Sequence, residues 1–181
     1  MPVKLLTKKD LAKIKAFALD VDGVLTDGGL LCDLRGELFR VFDAKDGFGI
    51  RMAVMNGYPV GVITGGRSGS IRARFTTNAV PSEDVYLGAR NKTEDFEDFC
   101  HRHGLGHEEV AFIGDDIPDI PPMRLSGLAA CPCDAVEDVR KISNFISSYP
   151  GGKGCVREVI EMVMKAGGRW NFDVSLYKKL Y

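Results

Sequence analysis

Short apolar, β-prone runs punctuate the chain at Ala16 to Leu19, Pro59 to Ile63, Val85 to Leu87, Val110 to Ile113 and Leu128 to Cys131. Between them lie segments with apolar residues at helical spacing: Gly47 to Asn56, Ser68 to Phe75, Lys92 to His103, Ile117 to Leu125, Ala135 to Lys141 and Cys155 to Met164. Each is bounded by Gly, Pro, Asn or Asp. The alternation predicts βαβ units, and so an α/β fold in which a parallel sheet carries helices on both faces. Ligands of such open sheets bind beyond the carboxyl ends of the strands. Some of these runs end in polar or glycine-linked residues, namely Asp20, Thr64 and Gly114-Asp115-Asp116, and a functional site is expected where those ends converge.

One segment breaks the rhythm. From Gly28 to Asp43, Leu30, Leu31, Leu34, Leu38, Phe39, Val41 and Phe42 are interspersed with polar residues around Asp33-Leu34-Arg35-Gly36, which predicts a β-hairpin. A two-stranded hairpin is marginal by itself. Its exposed Leu30, Leu38 and Phe39 point to a subunit interface, against the alternative that the hairpin folds back on its own core.

Composition narrows the function. The 181 residues, 45% of them hydrophobic, suit one domain with a real core, and no repeat, linker or low-complexity segment divides positions 1–181. With 24 basic and 25 acidic residues the net charge is -1, which leaves no electrostatic footprint for nucleic acid or an anionic membrane. Lys4, Lys8, Lys9, Asp10, Lys13 and Lys15 interrupt the start of the chain, so no signal-peptide core is expected there. No apolar run approaches the roughly 20 residues of a membrane span. A cytoplasmic setting is expected. Cys32, Cys100, Cys131, Cys133 and Cys155 are odd in number and scattered, and are read as reduced thiols. His101, His103 and His107 fall around a helix end at Gly104 and are expected at the surface.

The chemistry concentrates in Asp20-Val21-Asp22-Gly23-Val24-Leu25-Thr26-Asp27-Gly28. On an extended chain residues i and i+2 project from one side, so Asp20 and Asp22 are expected to face one centre. Two anions held together need a cation or a shared proton, which points to a metal. Taken alone, the pair also reads as an Asx-rich surface turn. Further along come Thr64-Gly65-Gly66-Arg67 after a strand, Lys92 opening a helix, and Gly114-Asp115-Asp116-Ile117-Pro118-Asp119 after another strand. Each of these alone reads as a turn or a solvated side chain.

Together, in this order and spacing, they resemble the signature motifs of the haloacid dehalogenase superfamily of phosphohydrolases. The resemblance implies a three-layer, Rossmann-like fold, here without a cap because no large insertion follows the first or second motif. It implies Asp20 as the nucleophile that forms an aspartyl phosphate and Asp22 as the general acid and then base. Mg2+ would be held by Asp20, the backbone carbonyl of Asp22 and Asp115. Lys92 and the Thr64 hydroxyl would face the phosphoryl oxygens, with Asp116 capping the next helix and Asp119 in support.

Within the superfamily the chain is most similar to phosphatases acting on 3-deoxy-D-manno-octulosonate 8-phosphate. The similarity rests on the Asp22 to Gly28 stretch, the hairpin, Asp43-Ala44-Lys45-Asp46-Gly47, Ile63-Thr64-Gly65, Gly114-Asp115-Asp116, and Gly151-Gly152-Lys153-Gly154 with Arg157-Glu158. It implies a small sugar-acid phosphate as substrate, a homotetramer, and a tail, Gly167 to Tyr181, able to reach an adjacent active site. Gly65, Gly66 and Arg67 are the expected substrate contacts. Many relatives place a basic residue directly after the first glycine, where this chain has Gly66. Arg67 then reads either as the anchor of the substrate carboxylate or as a surface residue. Still open are a phosphatase of a nine-carbon 2-keto-3-deoxy sugar acid 9-phosphate and a non-catalytic phosphatase-like assembly domain. A phosphoacceptor receiver is a further possibility, although its acidic pair precedes its acceptor, unlike the order here.

Overall fold

The structure, a computed structural model, describes residues 6–179; Lys4 of the basic N-terminal segment and Leu180 and Tyr181 of the tail lie outside them. After α1 (Lys8–Leu11), β1 (Ala16–Leu19) leads into a short antiparallel pair, β2 (Leu31–Cys32) and β3 (Leu38–Phe39). Then follow α2 (Ala44–Met55), β4 (Val60–Thr64), α3 (Gly69–Thr76), β5 (Val85–Leu87) and α4 (Lys92–His103). The chain continues through β6 (Val110–Ile113), α5 (Ile120–Leu125), β7 (Leu128–Cys131), α6 (Glu137–Ile142) and β8 (Phe145–Ile146) to α7 (Cys155–Ala166) and α8 (Val174–Lys179). The main sheet has the order β5-β4-β1-β6-β7-β8, with every pairing parallel.

The central strands are apolar on both faces because helices cover both. Phe17 and Leu19 enter one core, with Val60, Val62 and Ile113 beneath α2 and α7. Their neighbours Ala16 and Ala18 enter the other, where small side chains leave room for Phe96 and Phe99 of α4 and for Phe112. Period-two alternation thus divides one strand between two cores. In α7, Val156, Val159, Ile160, Val163 and Met164 form a buried stripe.

Five expected strands and six expected helices are present with small shifts at their ends, save that the segment from Ile117 splits into a 3-10 turn and α5. The edge strand β8 and the terminal helices α1 and α8 carry too few apolar residues to announce themselves. The hairpin turn is set by Asp33, whose Oδ1 accepts from the Arg35 and Glu37 amides. Leu30, Leu31, Leu34, Phe39 and Val41 are exposed, whereas Leu38 is half-buried, a departure from the expectation of an open side chain. His103 also departs from the surface reading, since its Nε2 lies 3.0 Å from Oδ2 of the buried Asp84. The tail rests on its own α2: the Phe172 and Tyr177 rings meet Phe48, and Arg51 donates to the Tyr177 hydroxyl at 3.1 Å. To reach a neighbouring active site it would have to leave that seat.

The start of α7 has no side-chain cap from its own N-cap residue, Gly154. Asp46 of α2 supplies one across the fold, its oxygens accepting from the Gly154 amide at 3.0 Å and the Arg157 amide at 2.7 Å. Asp46→Ala should therefore destabilise the fold by about 2 to 3 kcal/mol, and Asp46→Asn by less, read as a lower midpoint in urea with unchanged slope. An unchanged midpoint for the alanine variant would show that water replaces the cap at no cost.

Candidate active site

The carboxyl ends of β1, β4 and β6 lie side by side because β1 sits between the other two. Asp20 follows β1, Thr64 closes β4, and Asp115 and Asp116 follow β6. Lys92 enters from the first turn of α4, whose start is capped by Asn91 accepting from the Thr93 amide.

Lys92 is buried, and its Nζ lies 2.8 Å from Asp20 Oδ1 and 2.6 Å from Asp119 Oδ1. The other Asp119 oxygen accepts from the amides of Asp115 and Asp116. Asp119 thereby ties the lysine to the loop after β6. Asp116 is exposed, and its Oδ1 accepts from the Ile117 amide at 2.7 Å, capping the 3-10 turn that carries Asp119. Thr64 is buried, and its Oγ1 accepts from the Gly66 amide at 3.1 Å. Gly65 and Arg67 are exposed, with Arg67 and Arg40 lining a cavity of about 210 Å³ between the hairpin and the loop after β4.

Oxygens of Asp20, Asp115 and Asp119 lie within 4.8 Å of one another. Burial, and then the Asp119 charge, push the Asp20 carboxyl up to about 8; the same causes, in the same order, push Asp115 up to about 7. Burial alone would lower Lys92, but the Asp20 and Asp119 charges more than reverse this, and its pKa is raised. Asp115 Oδ1 is buried without a hydrogen-bond partner. A buried, unpartnered anionic oxygen is costly, and a set of hard carboxylate oxygens suits a small divalent cation such as Mg2+. The donor set fits that group. Gly23 makes room for the Asp115 carboxylate: at φ +89° its backbone is in the left-handed region, and a Cβ there would fall 2.0 Å from Asp115 Oδ2.

The Asp22 carboxylate is not among these oxygens. The chain leaves β1 at Asp20 and turns, with the amides of Val24 and Leu25 both returning to the Val21 carbonyl, so strand alternation does not govern Asp22. Asp22 instead receives a two-pronged contact from Arg40, Nε at 2.6 Å and Nη2 at 2.8 Å. Arg40 has no place in the motif-based reading. Its signal was an arginine within the apolar run Leu38-Phe39-Arg40-Val41-Phe42, where a charge needs a partner.

No family model matches the chain. It is 34% identical over 169 residues to the 3-deoxy-D-manno-octulosonate 8-phosphate phosphatase KdsC of Haemophilus influenzae, covering 93% of each chain. The chain belongs to this phosphatase family. A solved structure described as a putative haloacid dehalogenase superfamily hydrolase of subfamily III A, from Legionella pneumophila, superposes with a TM-score of 0.89 at 30% identity, covering 95% of this chain and 93% of that one. The 3-deoxy-D-manno-octulosonate 8-phosphate phosphatase of Moraxella catarrhalis, solved with magnesium, phosphate and KDO, does so with a TM-score of 0.85 at 29% identity, covering 90% and 92%. The α/β phosphatase fold of the superfamily follows for this member.

The raised carboxyls make a pH prediction. Asp20 and Asp115 ionise near 8 and 7 in the folded protein against 3.8 ordinarily, so the folded state holds protons that the unfolded chain has released. In chelator, stability should therefore fall as pH rises from about 4 to about 8. Because the ligands bind metal as carboxylates, the rise in Tm on adding Mg2+ should be larger at pH 8 than at pH 6. Thermal unfolding with and without Mg2+ reads both, and a Mg2+ shift independent of pH would argue against these carboxylates as the ligands.

Proposed function

We propose that this chain is a Mg2+-dependent phosphomonoester hydrolase that releases phosphate from 3-deoxy-D-manno-octulosonate 8-phosphate, with residues 1–181 forming one catalytic domain. The observation that carries the reading is the group of Asp20, Asp115 and Asp119 around buried Lys92, in a member of that family. Asp20 attacks phosphorus and forms an aspartyl phosphate. Asp22 gives a proton to the leaving alcohol, then takes one from the water that hydrolyses the intermediate. Lys92, fixed by Asp119, neutralises charge on the phosphoryl oxygens, and Thr64, whose oxygen already accepts from Gly66, keeps its own proton free to donate to them. Asp20, Asp115 and the backbone carbonyl of Asp22 would hold Mg2+, which when bound supplies the positive charge that lets a phosphate dianion approach these carboxylates.

In this reading Arg67 takes the substrate carboxylate at the mouth of the cavity it shares with Arg40, beside Gly65 and Gly66. The exposed hairpin residues belong to a homotetramer interface, since Leu31, Leu34, Phe39 and Val41 make an apolar patch on a marginal two-stranded element. The free thiols fit a reducing, cytoplasmic setting.

Phosphate release should be measured with Mg2+ over eight- and nine-carbon sugar-acid phosphates and a simple alkyl phosphate, with Arg67→Ala alongside. The eight-carbon acid should lead, and Arg67→Ala should raise KM for the acids at least about tenfold more than for the simple ester. Asp20→Asn should abolish turnover, while Asp22→Asn should lose about 10² to 10⁴-fold. Near-normal hydrolysis by Asp20→Asn would overturn the mechanism, and a lead for the nine-carbon acid would overturn the substrate.

Light scattering at micromolar concentration should give a tetramer, and Phe39→Asp should weaken assembly and activity together because it places an unpaired charge in an apolar contact. A fully active monomer would remove the hairpin from this role.

A further inference from the structure

Arg40 reaches the catalytic face from the end of β3. Its side chain is 3% exposed while that of Asp22 is 30% exposed, so the pair is buried on the arginine side and open toward solvent on the carboxylate side. Nε and Nη2 engage both oxygens of Asp22, and Nη1 donates to the Leu38 carbonyl at 3.3 Å. An exposed pair of this kind would contribute little. A planar fork on a planar carboxylate fixes both place and plane.

The space for the guanidinium is made by the loop after β4. A Cβ at Gly66 would lie 3.1 Å from Arg40 Nη2, 2.8 Å from Ile71 Cδ1 and 3.3 Å from Thr64 Oγ1. The hairpin has no need of this contact for its own pairing, which consists of Leu31 with Phe39 and Cys32 with Leu38. Arg40 thus spans three parts of the site: the hairpin, the turn after β1 and the loop after β4.

We propose that Arg40 is a positioning residue for the reaction, holding the Asp22 carboxylate in a fixed plane apart from the Asp20, Asp115 and Asp119 oxygens so that it meets the leaving oxygen of the ester. The proposal rests on Asp22 as the acid and base. A carboxylate two residues from Asp20 and free to rotate would be drawn to a hard cation among those oxygens and lost to proton transfer. The fork uses one acceptor position on each Asp22 oxygen and leaves another on each. In the step served, a bond forms between an Asp20 oxygen and phosphorus, the bond from phosphorus to the leaving oxygen breaks, and the proton on Asp22 passes to that oxygen. In the second step water attacks phosphorus, its proton returns to Asp22, and the bond to Asp20 breaks. Arg40 keeps its own protons throughout.

The leaving group supplies the test. A sugar alcohol needs a proton to depart, whereas p-nitrophenolate does not. Arg40→Gln should lower kcat on 3-deoxy-D-manno-octulosonate 8-phosphate by about 10²-fold with KM little changed. The burst of p-nitrophenolate from p-nitrophenyl phosphate, which reports phosphorylation of Asp20, should change less than about threefold. Arg40→Lys restores the charge without the fork and should recover only part of the loss. Equal losses on both substrates, full rescue by lysine, or an unchanged kcat would each overturn the proposal. Asp22→Asn in parallel separates it from its premise. If that variant shows the leaving-group selectivity and Arg40→Gln does not, the positioning role alone falls; if Asp22→Asn keeps normal kcat on the sugar phosphate, the acid-base reading falls with it.

Discussion

The crowding of Asp20, Asp115 and Asp119 around the single ammonium of Lys92 is the constraint on which the rest of the structure depends. Two unit charges 4 Å apart interact by about 4 kcal/mol at an effective dielectric of about 20, so three carboxylates at such distances are mutually destabilising in a site largely shielded from water. One lysine offsets part of this. The raised Asp20 and Asp115 carboxyls and the unpartnered Asp115 oxygen are what remains, and a divalent cation meets both demands. The cost is concentrated at the proposed site, where an environment so poor in positive charge suits a divalent cation.

Holding such a group together requires rigid supports, and the sheet provides them. β1 lies between β4 and β6, so the residues that follow these strands are neighbours whatever the loops do. Ala16 and Ala18 face α4, where Phe96 and Phe99 pack closely, and that packing sets the depth from which Lys92 reaches the site. Asp119 then locks the lysine to the β6 loop through amides of Asp115 and Asp116. Backbone donors that would otherwise be orphaned are satisfied by the same carboxylate that fixes the lysine.

The hairpin is the opposite case. It is short, largely exposed, and held at its base by Arg40 and beside its turn by the Ser68 hydroxyl donating to Glu37. Its apolar outer residues and its inward arginine sit within a few positions of one another, so a surface proposed to meet other copies of the chain also carries the partner of Asp22. The proposed assembly surface and the Arg40 contact to Asp22 are thereby carried by one small element.

The strand-helix alternation, the four chemical motifs and the hairpin turn were legible in the sequence because each is a local property: period, propensity, or a turn set by Asp33 and Gly36. α4 from Lys92 to His103 was readable to the residue, since Asn91 and Gly104 cap its two ends. What only the tertiary structure decided is which charge meets which. Asp20 and Asp22 are two positions apart, yet the turn beginning at Val21 sends one carboxylate to Lys92, 72 positions onward, and the other to Arg40, 18 onward. Likewise Asp46, an ordinary first-turn acid in the sequence, becomes the cap of α7 more than a hundred residues away. Such pairings depend on strand order and on helix docking, which long-range packing fixes and local sequence does not encode.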